Sequence, residues 1–181
     1  MPKSSSGTLT RSYNQQIVNE STPTFSIEKA TWRDLKPLQR LEKVCFDVDA
    51  WPMIELLGVL TFPDIIRLKA VIDDEMAGFI AGDPRRDNSR VNSGAAEGWI
   101  LTLGVLPVYR RLGIAEALLT ACEAQMKMPV VKLTVRRSNQ AAIRLYEKKG
   151  YHQIDIWSKY YHNGEDGLVF EKRVEVTDGL G

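Results

Sequence analysis

The residues of this chain best suited to chemistry lie in VLPVYRRLGIAEALL, from Val105 to Leu119. They set a basic, glycine-containing turn between an apolar run, GWILTLGVL, and the start of a Leu-rich helical segment. A helix start leaves backbone N–H groups without partners, and the aligned peptide dipoles make that end positive, so the combination favours an anion such as a phosphate. Arg110 and Arg111 sharpen this. Cations at the positive end of a helix are mildly unfavourable unless something negative sits among them. Gly113 and the small Ala115 would let such a ligand approach the backbone closely. Spacing alone leaves two readings open, an anion site or a turn with two solvated arginines.

A second constellation is RRSNQAAIRLYEKKGY, residues 136–151. Ser138 or Asn139 is placed to cap a helix filled by Ala141, Ile143, Leu145 and Tyr146. Lys148 and Lys149 face its negative end, and Gly150 stops it. Cys45 and Cys122 are far apart and show no metal-ligand spacing with His152 or His162, so no metal is implied and both thiols read as reduced and structural. A Gly-Lys-Ser/Thr phosphate loop and a full Gly-x-Gly-x-x-Gly are both missing, which argues against a plain nucleotide-binding module.

These motifs need a scaffold, and the surrounding pattern supplies one. FSIEKA alternates as a strand. Thr31 can cap a helix over WRDLKPLQRLEKVCF, with Leu35, Leu38, Leu41 and Cys45 at helical spacing. DVDAWPMIELLGVLTFP reads as a loop and a short second helix, interrupted by Gly58 and stopped before Pro63. IIRLKAVID and EMAGFIAGDP form a hairpin about Asp73-Asp74. After a polar loop, GWILTLGVL suits a strand covered on both faces. GIAEALLTACEAQMK follows as a helix, with Ile114, Ala117, Leu118, Ala121, Cys122 and Gln125 on one face. VVKLTVRR is again a strand, so a strand, helix and strand imply a parallel crossover. YHQIDIWSKYY and LVFEKRV close the pattern around HNGEDG, where Asn163-Gly164 signals a reverse turn. The fold class is α/β (α+β), with a mixed, mostly antiparallel sheet of about six to seven strands flanked by about four helices.

The chain of 181 residues, 44% hydrophobic, suffices for one domain with its own core. The reading assigns residues 1–23 to a disordered leader, 24–176 to the domain and 177–181 to a tail. With 24 basic and 23 acidic residues there is no strong net field to draw in nucleic acid or an anionic membrane. No apolar run approaches the roughly 18 residues of a bilayer-spanning helix and no secretory signal stands at the N-terminus, so the expected location is cytoplasmic.

The two constellations together resemble the GNAT acetyltransferases. Arg110, Gly113 and Ala115 occupy the positions of that family's Gln/Arg-x-x-Gly-x-Gly/Ala loop. The Ser138-Asn139 segment, with Ala142-Ile143-x-Leu145-Tyr146 and Gly150-Tyr151, matches its second signature in order and spacing. KYYHNGEDGLVF is similar to the C-terminal stretch of ribosomal-protein alanine N-acetyltransferases and related N-terminal acetyltransferases. The resemblance implies an acetyl-CoA N-acyltransferase fold. It also implies direct attack of an amine on the thioester in a ternary complex, with acetyl-CoA as cosubstrate.

The same resemblance assigns roles. The edge at Leu103, Gly104 and Val105 would pair with the pantetheine arm. Arg110, Arg111, Leu112, Gly113, Ile114, Ala115 and Glu116 would hold the diphosphate, mainly through main-chain N–H groups, and Asn139 would combine a cap with a cofactor contact. Tyr146 matches the tyrosine that serves the departing thiolate. Where the alanine branch carries a glutamate, this chain has Thr134, so Glu97 is the substitute candidate for the base. Phe46, Trp51, Tyr160 and Tyr161 are candidates for the acceptor wall. The expected acceptor is a peptide or protein N-terminal amine. The alternatives are a small-molecule amine or a non-catalytic coenzyme A-binding module, in a monomer or homodimer.

Overall fold

The computed structural model describes residues 24–85 and 96–174. The expected leader, the tail and most of the polar loop after β3 lie outside the described residues. Strands β1 (Ser26–Lys29), β2 (Ile66–Ile72), β3 (Glu75–Arg85), β4 (Glu97–Val105), β5 (Val130–Arg136), β6 (His152–Trp157) and β7 (Gly167–Arg173) form one sheet in the order β1-β2-β3-β4-β5-β7-β6. Every neighbouring pair is antiparallel except β4 and β5, which are parallel. The α-helices are α1 (Leu35–Phe46), α2 (Met53–Thr61), α3 (Ile114–Met126) and α4 (Gln140–Lys148). This is the sheet and helix complement expected from the pattern.

Local chemistry explains the element ends. Asp73 and Asp74 both take positive φ, 46° and 64°, which closes the β2–β3 hairpin tightly. Thr31 and Asp34 form a reciprocal capping box, with the Thr31 N–H donating to Asp34 Oδ2 at 2.7 Å. That box caps a 3-10 turn over Trp32–Asp34, and the α-helix proper begins only at Leu35. Asn139, rather than Ser138, caps α4: its Oδ1 accepts the Ala142 N–H at 3.2 Å.

Two details differ from the sequence pattern. Gly58 does not interrupt α2; the helix runs through it, and the Phe62 ring packs back so closely that a Cβ there would lie 3.2 Å from Phe62 Cε2. On α3 the buried face is Ile114, Leu118, Leu119, Cys122 and Met126, whereas Gln125 is exposed. A straight 3.6-residue repeat carries Gln125 past the edge of the buried stripe.

The sheet separates two apolar clusters. On β3, Phe79 and Ala81 pack with Leu38, Leu41, Leu56 and Leu60 of α1 and α2, while Ile80 packs with Ile114, Leu118 and Cys122 of α3. Alternate strand residues thus serve opposite faces, as the period of two dictates. Cys122 is fully buried, and burial pushes its thiol up to about 12, the state of an inert structural group.

Candidate functional site

The parallel pair that organises the site is incomplete. β4 pairs with β5 only from Glu97 to Ile100, opposite Val130 to Leu133. Beyond that point β5 stays with β7 up to Arg136, and β4 stays with β3 up to Val105. The two strands therefore splay, leaving the β4 edge from Leu101 to Val105 without a neighbour on the β5 side. Two cavities open at this cleft, of about 790 Å³ and about 730 Å³. Phe46, Leu103, Asn139, Ala142 and Tyr146 line both, so the cavities meet across the splay.

The larger cavity contains the basic turn. Backbone N–H groups from Arg111 to Glu116 have no hydrogen-bond partner among the described residues; the first helical bond of α3 is Ala117 N–H to Gly113 O at 3.0 Å. Arg111 and Gly113 take positive φ, 70° and 80°. A β-carbon on Gly113 would meet no protein atom within 4 Å, so the space above the turn is open on the protein side and the left-handed φ is what favours glycine there. Arg110 is braced by a bond from its Nε to Val105 O at 3.1 Å. Glu116 points its carboxylate at Lys148 Nζ, 2.7 Å away, with Lys149 Nζ at 3.7 Å, and Lys148 above all holds it below its usual pKa. An array of free N–H groups ringed by Arg110, Arg111, Arg144 and Lys148 fits a diphosphate. Leu112 alone of the expected turn residues does not line the cavity; its side chain packs on the core beside α3. Gly104 lines it, but a Cβ there would strike Leu41 Cδ2 at 2.9 Å, so α1 packing also demands this glycine.

Tyr146 stands at the junction, 7% exposed, its ring against Tyr151 and Phe170 and its hydroxyl without a hydrogen-bond partner among the described residues. Burial pushes it up to about 12, so it is a protonated donor at any working pH.

The smaller cavity holds a group that periodicity did not single out. Glu42, on α1, is 1% exposed, its Oε1 accepting from Thr102 Oγ1 at 3.2 Å and its Oε2 facing the Trp51 N–H at 3.5 Å. Burial, only partly offset by these bonds, raises its pKa to about 7. Within the helical pattern Glu42 reads as one more surface acid; the signal was its place beside Leu38 and Leu41 on the buried side of α1.

Phe46, Trp51, Tyr160 and Tyr161 all line this cavity, as does Thr134. Tyr160 and Tyr161 meet edge to face at 5.0 Å, Trp157 lies 5.3 Å from Tyr160, and Trp99 stacks on Trp157 at 5.7 Å. Gly167 is what lets Tyr160 come so near, since a Cβ there would lie 3.1 Å from that ring. Glu97 is not part of the gathering. It lies at the paired end of β4, lines neither cavity, and is engaged by Lys132 Nζ at 2.5 Å and Trp99 Nε1 at 2.9 Å.

Comparison with known proteins shows the family and the fold. The sequence pattern of the Acetyltransferase (GNAT) family matches residues 27–151. The chain is 31% identical over 154 residues to the N-terminal acetyltransferase A complex catalytic subunit NAA10 of Arabidopsis thaliana, covering 82% of this chain and 78% of that protein. It is 33% identical over 157 residues to an N-alpha-acetyltransferase of Saccharolobus solfataricus, covering 82% and 92%. Among solved structures, Arabidopsis thaliana Naa50 in complex with the bisubstrate analogue CoA-Ac-MVNAL superposes with a TM-score of 0.71 at 28% identity, covering 83% of this chain and 99% of that one. The Escherichia coli ribosomal-protein-S18-alanine N-acetyltransferase shares the fold at a TM-score of 0.74 and 22% identity, covering 87% and 99%.

Proposed function

We propose that this chain, which belongs to the GNAT acetyltransferase family, transfers the acetyl group of acetyl-CoA to the α-amine of a peptide or protein N-terminus by direct attack. The observation that carries the reading is the meeting of two cavities at the β4–β5 splay, one rich in free N–H groups and cations, the other walled by aromatics and holding Glu42. Relatives named for N-terminal acetylation and a neighbour bound to a peptide-bearing analogue support the choice of acceptor.

When bound, acetyl-CoA supplies an activated acyl group, and no metal is needed for that chemistry. The turn from Arg111 to Glu116 would hold the diphosphate through main-chain N–H groups, with Arg110 and Arg111 supplying positive charge. The β4 edge from Leu103 to Val105, freed by the splay, would take the pantetheine arm as an added strand.

The acceptor amine must lose a proton. An N-terminal ammonium has a pKa of about 7.7 to 8, so a base of similar strength is the best matched acceptor. Glu42, at about 7, meets that condition, whereas Glu97 is tied into an ion pair away from the cavity. Glu42, directly or through a water, is the base in this account. Thr134 is not needed for proton transfer.

Tyr146 serves the leaving sulfur. A phenol at about 12 facing a thiol of about 8.5 makes complete proton transfer uphill by about 5 kcal/mol, so its role is hydrogen-bond donation to the departing thiolate. A free hydroxyl at the cavity junction is what that role requires.

The test is mass spectrometry on a panel of peptides and small amines incubated with acetyl-CoA. The reading predicts acetyl groups on peptide α-amines. Acetylation of small amines alone would overturn the choice of acceptor, and uptake of coenzyme A with no turnover of any amine would favour a non-catalytic binding module.

A further inference from the structure

Arg136, the last residue of β5, touches both walls of the smaller cavity at once. Its Nη2 forms an ion pair with Asp49, in the 3-10 turn that follows α1. Its Nη1 lies 2.6 Å from Glu165 Oε2 and donates to Asn163 Oδ1 at 3.1 Å. Its guanidinium carbon stands 4.1 Å over the Tyr161 ring. Among the described residues, no hydrogen bond or ion pair other than those of Arg136 links the Asp47–Trp51 segment with the loop between β6 and β7.

Both walls carry groups the proposed reaction uses. Asp49 lies two residues before Trp51, whose backbone N–H faces the Glu42 carboxylate. On the other side, Glu165 also accepts the Ser138 N–H at 2.7 Å, which ties the loop to the turn leading into α4. Arg136, Asp49 and Glu165 side chains are 21%, 13% and 21% exposed, so the Arg136–Asp49 pair, the more covered of the two, is partly shielded from solvent. A planar fork can serve two carboxylates and stack on a ring together; an ammonium cannot.

We propose that Arg136 is a positioning residue that fixes the spacing of the two acceptor walls, and so sets recognition of the acceptor chain while leaving the carrier's site untouched. The inference rests on the peptide reading above. Arg136 makes no contact with the cavity that contains the basic turn, so its effects separate by substrate.

The experiment is steady-state kinetics with peptide and acetyl-CoA varied in turn, on the wild type and on Arg136→Lys, Arg136→Gln, Asp49→Asn and the Arg136→Gln/Asp49→Asn double variant. Misplacement of a substrate by about 1 Å can cost up to about a hundredfold. Arg136→Lys and Arg136→Gln should each raise the peptide KM by about tenfold or more, with the acetyl-CoA KM within about twofold of wild type. The double variant should be no worse than Arg136→Gln, because both changes break one link. An unchanged peptide KM in folded Arg136→Gln, equal rises in both KM values, or additive losses would each overturn the proposal. Should Arg136→Gln fail to fold, Asp49→Asn alone decides: a raised peptide KM supports the link and an unchanged one removes it. A wild type that acetylates only small amines removes the peptide reading and this inference with it; an active wild type with unaltered variants removes this inference alone.

Discussion

Glu42, the proposed base, is costly to the fold when ionised. Its folded pKa of about 7 lies above the ordinary 4.5, so the folded state binds the proton more tightly than the unfolded chain. The associated stability is complete below about pH 4.5 and is lost as pH rises through 7, a change of up to about 3 kcal/mol for a group this buried. Glu42→Gln should therefore raise Tm at pH 8 and flatten its decline with pH, measured by thermal unfolding across that range. The same variant should lose about a hundredfold in kcat and the rising limb of the pH–rate profile near pH 7. An unchanged limb would return the base to another group. Tyr146→Phe should lower kcat about tenfold or more with little change in acetyl-CoA KM, since it removes a hydrogen bond that matters once the thiolate forms.

The elements were more readable than the site they build. The Asp73-Asp74 turn, the Gly150 stop and the α3 start are local, each fixed by residue types within a turn of one another, and each is where the spacing predicts it; the α4 cap, open between Ser138 and Asn139 in the sequence, falls to Asn139. The splay of β4 from β5 is not local: it emerges because β5 follows β7 while β4 follows β3, which no period in either strand records. Glu42 was hidden for the same reason, because its burial comes from the Trp51 segment and from Thr102 on β4. Glu97 reads in the sequence as a carboxylate at a strand entrance, yet Lys132, adjacent only through the parallel pairing, engages it. The turn itself gives an element-scale prediction. Gly113→Val puts a β-branched residue at φ 80° and should raise the acetyl-CoA KM by about tenfold or more, while Arg111→Ala, which spares the main chain, should raise it less. Equal effects would shift diphosphate recognition from backbone to side chains.

At the scale of the molecule, the fold divides labour across one cleft. The α3 and α4 side offers N–H groups and cations, and the side built from α1, the Trp51 segment and the β6–β7 loop offers aromatics and Glu42. Tyr146 and the free edge of β4 stand where both substrates would meet. The most direct test is titration calorimetry with a bisubstrate conjugate, coenzyme A joined through an acetyl bridge to the α-amine of a short peptide, beside coenzyme A and the free peptide. Continuity of the two cavities predicts that the conjugate binds at least about a hundredfold more tightly than coenzyme A, since joining the two parts removes the cost of bringing in the second. A conjugate that binds no better than coenzyme A itself would contradict the account.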